Sequence, residues 1–402
     1  MTTTPTTGIT TTRITEASAT EAVTPGTQRP AHVARGEVAF CFPLVAWPRP
    51  ACPPLRTRLD QVANAARAAV AATDRQVAVR EAGRALTEAA AIARDCGKPD
   101  LAQRIGARHI ALYTDLTRPL TSQEAKQVVG SATSLARAHL HTDPDRGVAM
   151  LVRILDATRG RLAITLDNLP KPLPLPLGDV DSALDEHRKL VALAQAQLMV
   201  SGTVALARAG RWAGAAELAR TYGGIGNRLL EGRQALIISR LLDRDGNGAR
   251  ALVAGSDTVS DADRDVASCL TALCAASGLR HEAASAMVDR YRAGAGLGER
   301  YASYRARYGA AVAVIARADQ HLAAPAIAAQ AATEALESGD GYAAQEVLRH
   351  SAVTDAISDD VRAGLDQVVK AAGLSGNALI GRLPTRLEDA VDLATHAVRP
   401  DL

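Results

Sequence analysis

Aromatic side chains are scarce in this chain: two Phe, two Trp and seven Tyr make up 3% of 402 residues. With hydrophobic residues at 47%, Ala, Leu and Val must fill the interior, which suits closely packed helices better than sandwiches or barrels. Lysine is also rare, confined to Lys98, Lys126, Lys171, Lys189 and Lys370, so nearly all 46 basic residues are Arg. Together with the excess of Ala, that bias points to a GC-rich bacterial genome. No block of five or six like charges occurs, and 43 acidic residues leave a net charge of only +3. That balance argues against nucleic acid as a partner. Cys41, Cys52, Cys96, Cys269 and Cys274 include no CxxC pair, and the last two sit in an apolar helical run where buried free thiols are expected. No stretch is read as reaching the roughly 18 apolar residues of a membrane span. The first residues lack a basic region followed by an apolar one, so no secretory signal is read there and the cytoplasm is the expected location.

Residues 1–36 are rich in Thr and poor in large apolar groups, which predicts a disordered tail. A misassigned start codon is the alternative account of that tail. Residues 37–54 hold both Phe residues, Trp47 and five prolines, Pro43, Pro48, Pro50, Pro53 and Pro54. Those prolines rule out a helix and predict an extended segment packed on the body. From residue 55 to about 400, apolar residues recur at three and four spacing with Arg and Glu opposite, helix after helix. Thr121 and Ser122 are N-cap candidates after the "TRPLT" turn. One segment differs: over 161–180, Ile164 and Leu166, then Leu173, Leu175 and Leu177, alternate across an Asp-Asn-Leu-Pro turn. This pattern predicts a short hairpin or extended arm.

A turn-plus-helix offset organises the helices. A glycine is followed five residues later by an alanine at Gly97/Ala102, Gly210/Ala215, Gly246/Ala251, Gly278/Ala283 and Gly339/Ala344. Gly supplies the left-handed residue that stops one helix, and Ala lets the next approach closely. The 36- and 32-residue intervals from Gly210 to Gly246 to Gly278 bracket the ~34-residue period of a helical-hairpin repeat. "VALARAGRWAGAAELARTY", with Gly210, Trp212 and Ala215, resembles the central part of a tetratricopeptide repeat, and "AASGLRHEAASAMVDRY" and "ESGDGYAAQEVLRH" are weaker copies. The resemblance is best over residues 180–350 and departs from the family by lacking its closing proline and its early Trp/Leu/Gly signature. It implies an all-α, degenerate tetratricopeptide-like α-solenoid of antiparallel helical hairpins, with the 161–180 segment inserted. Similar chains bind peptides or partner proteins.

Motifs that suggest chemistry fail on their own terms. Asp243-x-Asp245-x-Asn247-Gly248 opens like a calcium loop, but the ligand positions nine and twelve are Ala251 and Ala254, and Arg244 and Arg250 add positive charge. His139-x-His141-x-Asp143 continues into Pro144 where a metal motif needs another His, so it reads as a helix end and restart. Gly223, Gly224 and Gly226, ahead of Arg228 and Arg233, have no preceding strand and no Gly-Lys-Ser/Thr ending. No nucleophile elbow or dinucleotide fingerprint is present, and Asp359/Asp360 suit a helix start after Ser358. No metal and no cofactor is expected.

The most uneven feature is aromatic: four of seven Tyr fall in "DRYRAGAGLGERYASYRARYG". On one helix, Tyr301, Tyr304 and Tyr308 span an arc of about 60°, flanked by Arg305. Tyr301, Tyr304, Arg305 and Tyr308, with Arg228, form the candidate ligand or peptide site; packing between helices is the competing reading of the tyrosines. The function expected is a non-catalytic binding module for a peptide or protein partner, in a bacterial regulatory or assembly role. The alternative is an accessory or catalytic component of a small-molecule or modified-peptide pathway, with an Arg/Tyr-lined pocket.

Overall fold

The computed structural model describes residues 41–399 apart from 168, 170, 295 and 296; the Thr-rich residues 1–36 and residues 37–40 lie outside the described residues. The described chain is all-α with three very short strand pairings. Its helices are α1 (Leu55–Ala71), α2 (Arg75–Asp95), α3 (Pro99–Ala111), α4 (Ser122–Leu140), α5 (Pro144–Gly160), α6 (Leu184–Gln197), α7 (Val204–Arg208), α8 (Trp212–Thr221), α9 (Glu231–Leu242) and α10 (Gly246–Ala254). They continue as α11 (Asp261–Cys274), α12 (Arg280–Ala293), α13 (Ala302–Ala318), α14 (Ala324–Ser338), α15 (Gly341–Leu348), α16 (Ser351–Thr354), α17 (Asp359–Ala371) and α18 (Leu383–Val398). A π-helical turn, Leu198–Thr203, joins α6 to α7 without a break.

From α1 to α16 each helix packs on its sequence neighbour, with α6 and α7 meeting through the π-helical turn, whereas α17 packs on α14 and α15; alternate helices also touch: α2 with α4, α4 with α6, α11 with α13, and α13 with α15. Stacked hairpins require both kinds of contact. The last helix, α18, packs on α1 and α2. On α1, Arg58 donates to the Ala372 carbonyl at 3.1 Å and to Asp95 at 2.6 Å. Tyr342 on α15 donates to the same Asp95 carboxylate at 2.6 Å, so the first and last parts of the array meet.

Local chemistry explains where the helices begin and end. Thr121 caps α4 in a reciprocal box with Glu124, while Ser122 is already helical. Ser358 caps α17 through the Val361 amide. α4 ends at Leu140, and Asp143 starts α5 by accepting from the Arg146 amide. The 161–180 segment forms a hairpin: β2 (Ile164–Leu166) pairs antiparallel with β3 (Leu173–Leu175), and β4 (Val180–Asp181) then pairs parallel with β1 (Leu120–Thr121).

Three of the five Gly/Ala offsets have the expected geometry. Gly97, Gly210 and Gly339 are left-handed, and Ala102, Ala215 and Ala344 five residues on are 7%, 0% and 0% exposed. Gly246 and Gly278 do not stop helices: the first begins α10, and the second lies in a 3-10 turn ahead of α12. In the first case the stop is Arg244, with φ of 65°. The following Asp245 amide bonds back to Arg240 (2.8 Å), just as Lys98 bonds Ala93 (2.8 Å) and Arg211 bonds Leu206 (2.9 Å). Five residues beyond Arg244, Ala249 is fully buried, whereas Ala251 is exposed. Asp243 and Asp245 cap the two flanking helices, the second by accepting from the Gly248 amide at 2.8 Å.

One helix among the described residues is long and apolar enough to cross a membrane, the continuous run Leu184–Arg208 with mean hydropathy 1.7. Gln195, Gln197, Ser201 and Thr203 interrupt the apolar run in the sequence without making the average polar. Its apolar side packs against α4, α5, α8 and α9.

All five Cys are buried, and burial pushes the Cys41 thiol up to about 12. His109 is 1% exposed and bonds Ser131 Oγ through Nδ1 at 2.7 Å. Burial lowers its pKa to about 4.

Two expectations follow. Arg244→Gly relieves a left-handed side-chain conformation and should raise stability by about 0.5 kcal/mol, the strain released less the extra entropy of glycine; urea unfolding that shows a loss would contradict the assignment. For His109 the unfolded chain binds a proton below the ordinary histidine value of 6.5, while the folded chain does so only near 4. Stability should therefore fall as pH drops from 6.5 to 4, by on the order of 3 kcal/mol. His109→Gln should flatten that part of the pH profile.

Candidate functional site

The residues singled out in the sequence separate in three dimensions. Tyr304 and Tyr308 are core residues, 4% and 0% exposed; Tyr304 donates to the Ala262 carbonyl at 3.2 Å, and the two rings stack at 6.1 Å. Tyr291 meets Tyr308 edge-on at 5.3 Å, and Gly309 permits this because a Cβ there would stand 2.5 Å from the Tyr291 hydroxyl. Tyr301 and Arg305 instead line an open pocket of about 530 Å³ with Leu297, Glu299, Glu334 and Ser338. Arg305 is engaged there: it donates to Glu334 at 2.8 Å and to the Tyr291 carbonyl at 3.1 Å, with its guanidinium 3.9 Å from the Tyr291 ring centre. Burial would raise the Glu334 carboxyl, but Arg305 and Gln330 outweigh it and hold the carboxyl below its usual range. Arg228 lies outside this pocket, in the loop before α9, with Asp263 at 3.4 Å. Arg233 is consumed structurally, its guanidinium donating to the carbonyls of Gly226, Leu252 and Gly255 and to Ser256.

A second arrangement is more extensive. Residues 41–54 form neither helix nor strand, as their five prolines dictate, and cross the array as a strap. Cys41, Phe42 and Leu44 are at most 4% exposed, Trp47 to Ala51 are exposed, and Cys52 is buried again. A buried irregular segment must find partners for its backbone, and side chains of the array supply them. Gln234 on α9 accepts from the Leu44 amide at 2.7 Å and donates to the Leu44 carbonyl at 2.6 Å. Arg307 on α13 donates to the Pro43 carbonyl at 2.7 Å. Asp340, the cap of α15, accepts from the Cys52 amide at 3.1 Å, and the Gly341 amide donates to the Cys52 carbonyl at 2.9 Å. Between these anchors Trp47 donates to Glu231 at 2.6 Å, and the Arg49 amide bonds the Arg300 carbonyl at 2.8 Å. Burial raises the Glu231 carboxyl, and the Trp47 bond opposes that shift.

Arginines gather beside the strap. Glu346 on α15, with its side chain 12% exposed, has Arg349 at 3.0 Å and Arg208 and Arg307 at 3.9 Å. Burial would raise its carboxyl, but the charges of Arg307, Arg349 and Arg208 win and the net shift is down. Arg137 on α4 bonds Gln197, and its Nε is buried without a partner. Burial draws Arg137 down to about 10, and the nearby charges of Arg94 and Arg49 add to that. Arg94 donates to Ser134 at 3.4 Å, and Arg49 stacks on the Tyr342 ring at 3.3 Å. Burial lowers the pKa of both His141 and His350; Arg208, Arg349 and Arg94 add to the shift at His141, and at His350 Glu346 opposes it while Arg307 and Arg349 add to it. Arg94, Arg137 and Arg208 occupy the last turns of α2, α4 and α7, and Arg349 the C-cap of α15. Carbonyl ends of helices favour cations, which offsets part of the repulsion. No local motif marks this set; its only trace in the sequence is an Arg at the end of successive helices.

Among the described residues no group of three or more His, Cys, Asp or Glu could hold a metal ion. Comparison of the chain with family models, with curated proteins and with solved structures finds no match.

Gln234→Ala leaves two buried backbone groups of Leu44 without partners. It should lower the unfolding free energy by about 3 kcal/mol. Guanidinium unfolding at constant m-value is the check, and a change below about 0.5 kcal/mol would mean that the strap is not clamped.

Proposed function

We propose that this chain is a non-catalytic binding module, a tetratricopeptide-like α-solenoid whose inner helical face takes a peptide or a segment of a partner protein in a regulatory or assembly role. The observation that carries the proposal is the strap: the array already holds an irregular, helix-free chain through side chains aimed at its backbone, with Gln234 bonding both polar groups of Leu44. Amide and guanidinium groups that satisfy a backbone without reading its side chains suit recognition of extended segments in general.

The 34-residue separation of the left-handed stops Gly210 and Arg244, with Trp212 buried at the start of α8, supports the tetratricopeptide-like reading. The open pocket beside Tyr301 and Arg305 fits a side chain or chain end of such a partner better than an enclosed small molecule. Selection from a random peptide display library on the full-length protein, followed by calorimetry, tests the proposal. Peptides binding with a 1:1 stoichiometry are expected. Selection of no peptide, together with turnover of any small molecule, would overturn it.

A further inference from the structure

We propose that Arg49, Arg94 and Arg137, continued by Arg208, Arg307 and Arg349, form an anion site for a ligand bearing phosphoryl groups. The inference rests on the binding-module reading, since it names the chemistry that the inner face selects.

Arg208, Arg307 and Arg349, from α7, α13 and the end of α15, surround a single buried carboxylate, Glu346, and Arg49, Arg94 and Arg137, from the strap, α2 and α4, lie near enough for their charges to act on one another and, through Arg49, on Arg208. That carboxylate forms one close pair, with Arg349, and stands 3.9 Å from Arg208 and Arg307, so it neither contacts nor neutralises all three fully. Among the described residues the guanidinium groups of Arg49, Arg94 and Arg137 have only neutral partners: a Tyr ring, a Ser hydroxyl and a Gln side-chain carbonyl. Asp95, the nearest carboxylate in sequence, is taken by Arg58 and Tyr342. Guanidinium groups keep their protons in such a setting, so the repulsion is real and unrelieved by titration.

Arg317, at the end of α13, is paired with the Asp355 carboxylate at 3.0 Å, and Arg233 is satisfied by four neutral acceptors; Arg137 has one neutral acceptor and an Nε with none. An unpaired cluster on an inner face, with one Nε buried and unbonded, has the character of a site that waits for charge from outside. A carboxylate offers two coplanar oxygens and one charge. A phosphoryl group offers three oxygens in different directions and nearly two charges, which matches guanidinium forks arriving from several helices. The half-exposed Trp47 and the exposed Arg49, stacked on the Tyr342 ring, give the cluster a face to solvent.

The experiment is calorimetry and thermal unfolding of the full chain with sodium pyrophosphate, against sodium chloride of equal ionic strength, and with a doubly phosphorylated serine peptide. Pyrophosphate should bind and raise the melting temperature where chloride does not. Arg94→Gln and Arg137→Gln should each weaken binding about tenfold or more. They should also raise the melting temperature of the unliganded protein, because each removes a repelling charge, and this readout separates lost affinity from lost fold. Arg317→Gln should leave binding unchanged. A phosphopeptide that binds at least about tenfold tighter than pyrophosphate supports both the site and the binding module. Pyrophosphate binding with no gain from any peptide supports the site but overturns the peptide reading. Peptides that bind yet ignore both Arg variants, or pyrophosphate that does no better than chloride, overturn the anion site and leave the binding module standing.

Discussion

Leu44 carries an amide and a carbonyl into a place where water does not reach, and the side chain of Gln234, 190 positions further along, satisfies both. Leaving either group unbonded would cost more than an ordinary hydrogen bond gains, so this clamp fixes the path of residues 41–54 across the helices. Other features follow from that path. Arg307 is turned to the Pro43 carbonyl, which brings its charge beside Glu346. Asp340 caps α15 and at the same time accepts from Cys52, so the start of that helix and the end of the strap are set together. Arg58 and Tyr342 then meet at Asp95, where the two ends of the helical array come into contact.

The core itself is built from small residues. Alanine is the commonest buried residue of α1, α2, α13 and α14, and Tyr291, Tyr304 and Tyr308 pack with each other. Small side chains bring helices close but add little apolar area each, so polar contacts between distant segments carry more of the specificity of the arrangement. The strap supplies such contacts. Charge beside the strap is unbalanced toward Arg, and the helix ends that meet it make the imbalance tolerable.

Much of the architecture is legible locally. Thr121 and Ser358 cap helices because a hydroxyl before a helical run satisfies an amide within three residues. The alternation over 161–180 forms a hairpin in the register Ile164 to Leu175 because its period fits a pleated pair. Gly210, Trp212 and Ala215 occupy a left-handed stop, a buried helix start and a close helix contact. The offset at Gly246 misleads for a physical reason: Arg244 takes the left-handed position that composition assigns to glycine, and the true buried alanine is Ala249.

The site is legible only in part, because its contacts are long-range. Helical spacing places Tyr301, Tyr304 and Tyr308 on one arc, but only tertiary packing sends Tyr304 and Tyr308 inward and leaves Tyr301 at a pocket. Nothing near Leu44 announces Gln234, and nothing near Arg94 announces Arg137 or Arg49. Native-state hydrogen exchange at the Leu44 amide tests the central claim most directly. The account predicts that this amide, in a segment without helix or strand, exchanges only through global unfolding and as slowly as the amides of α9. Exchange at the rate of an open loop would contradict it.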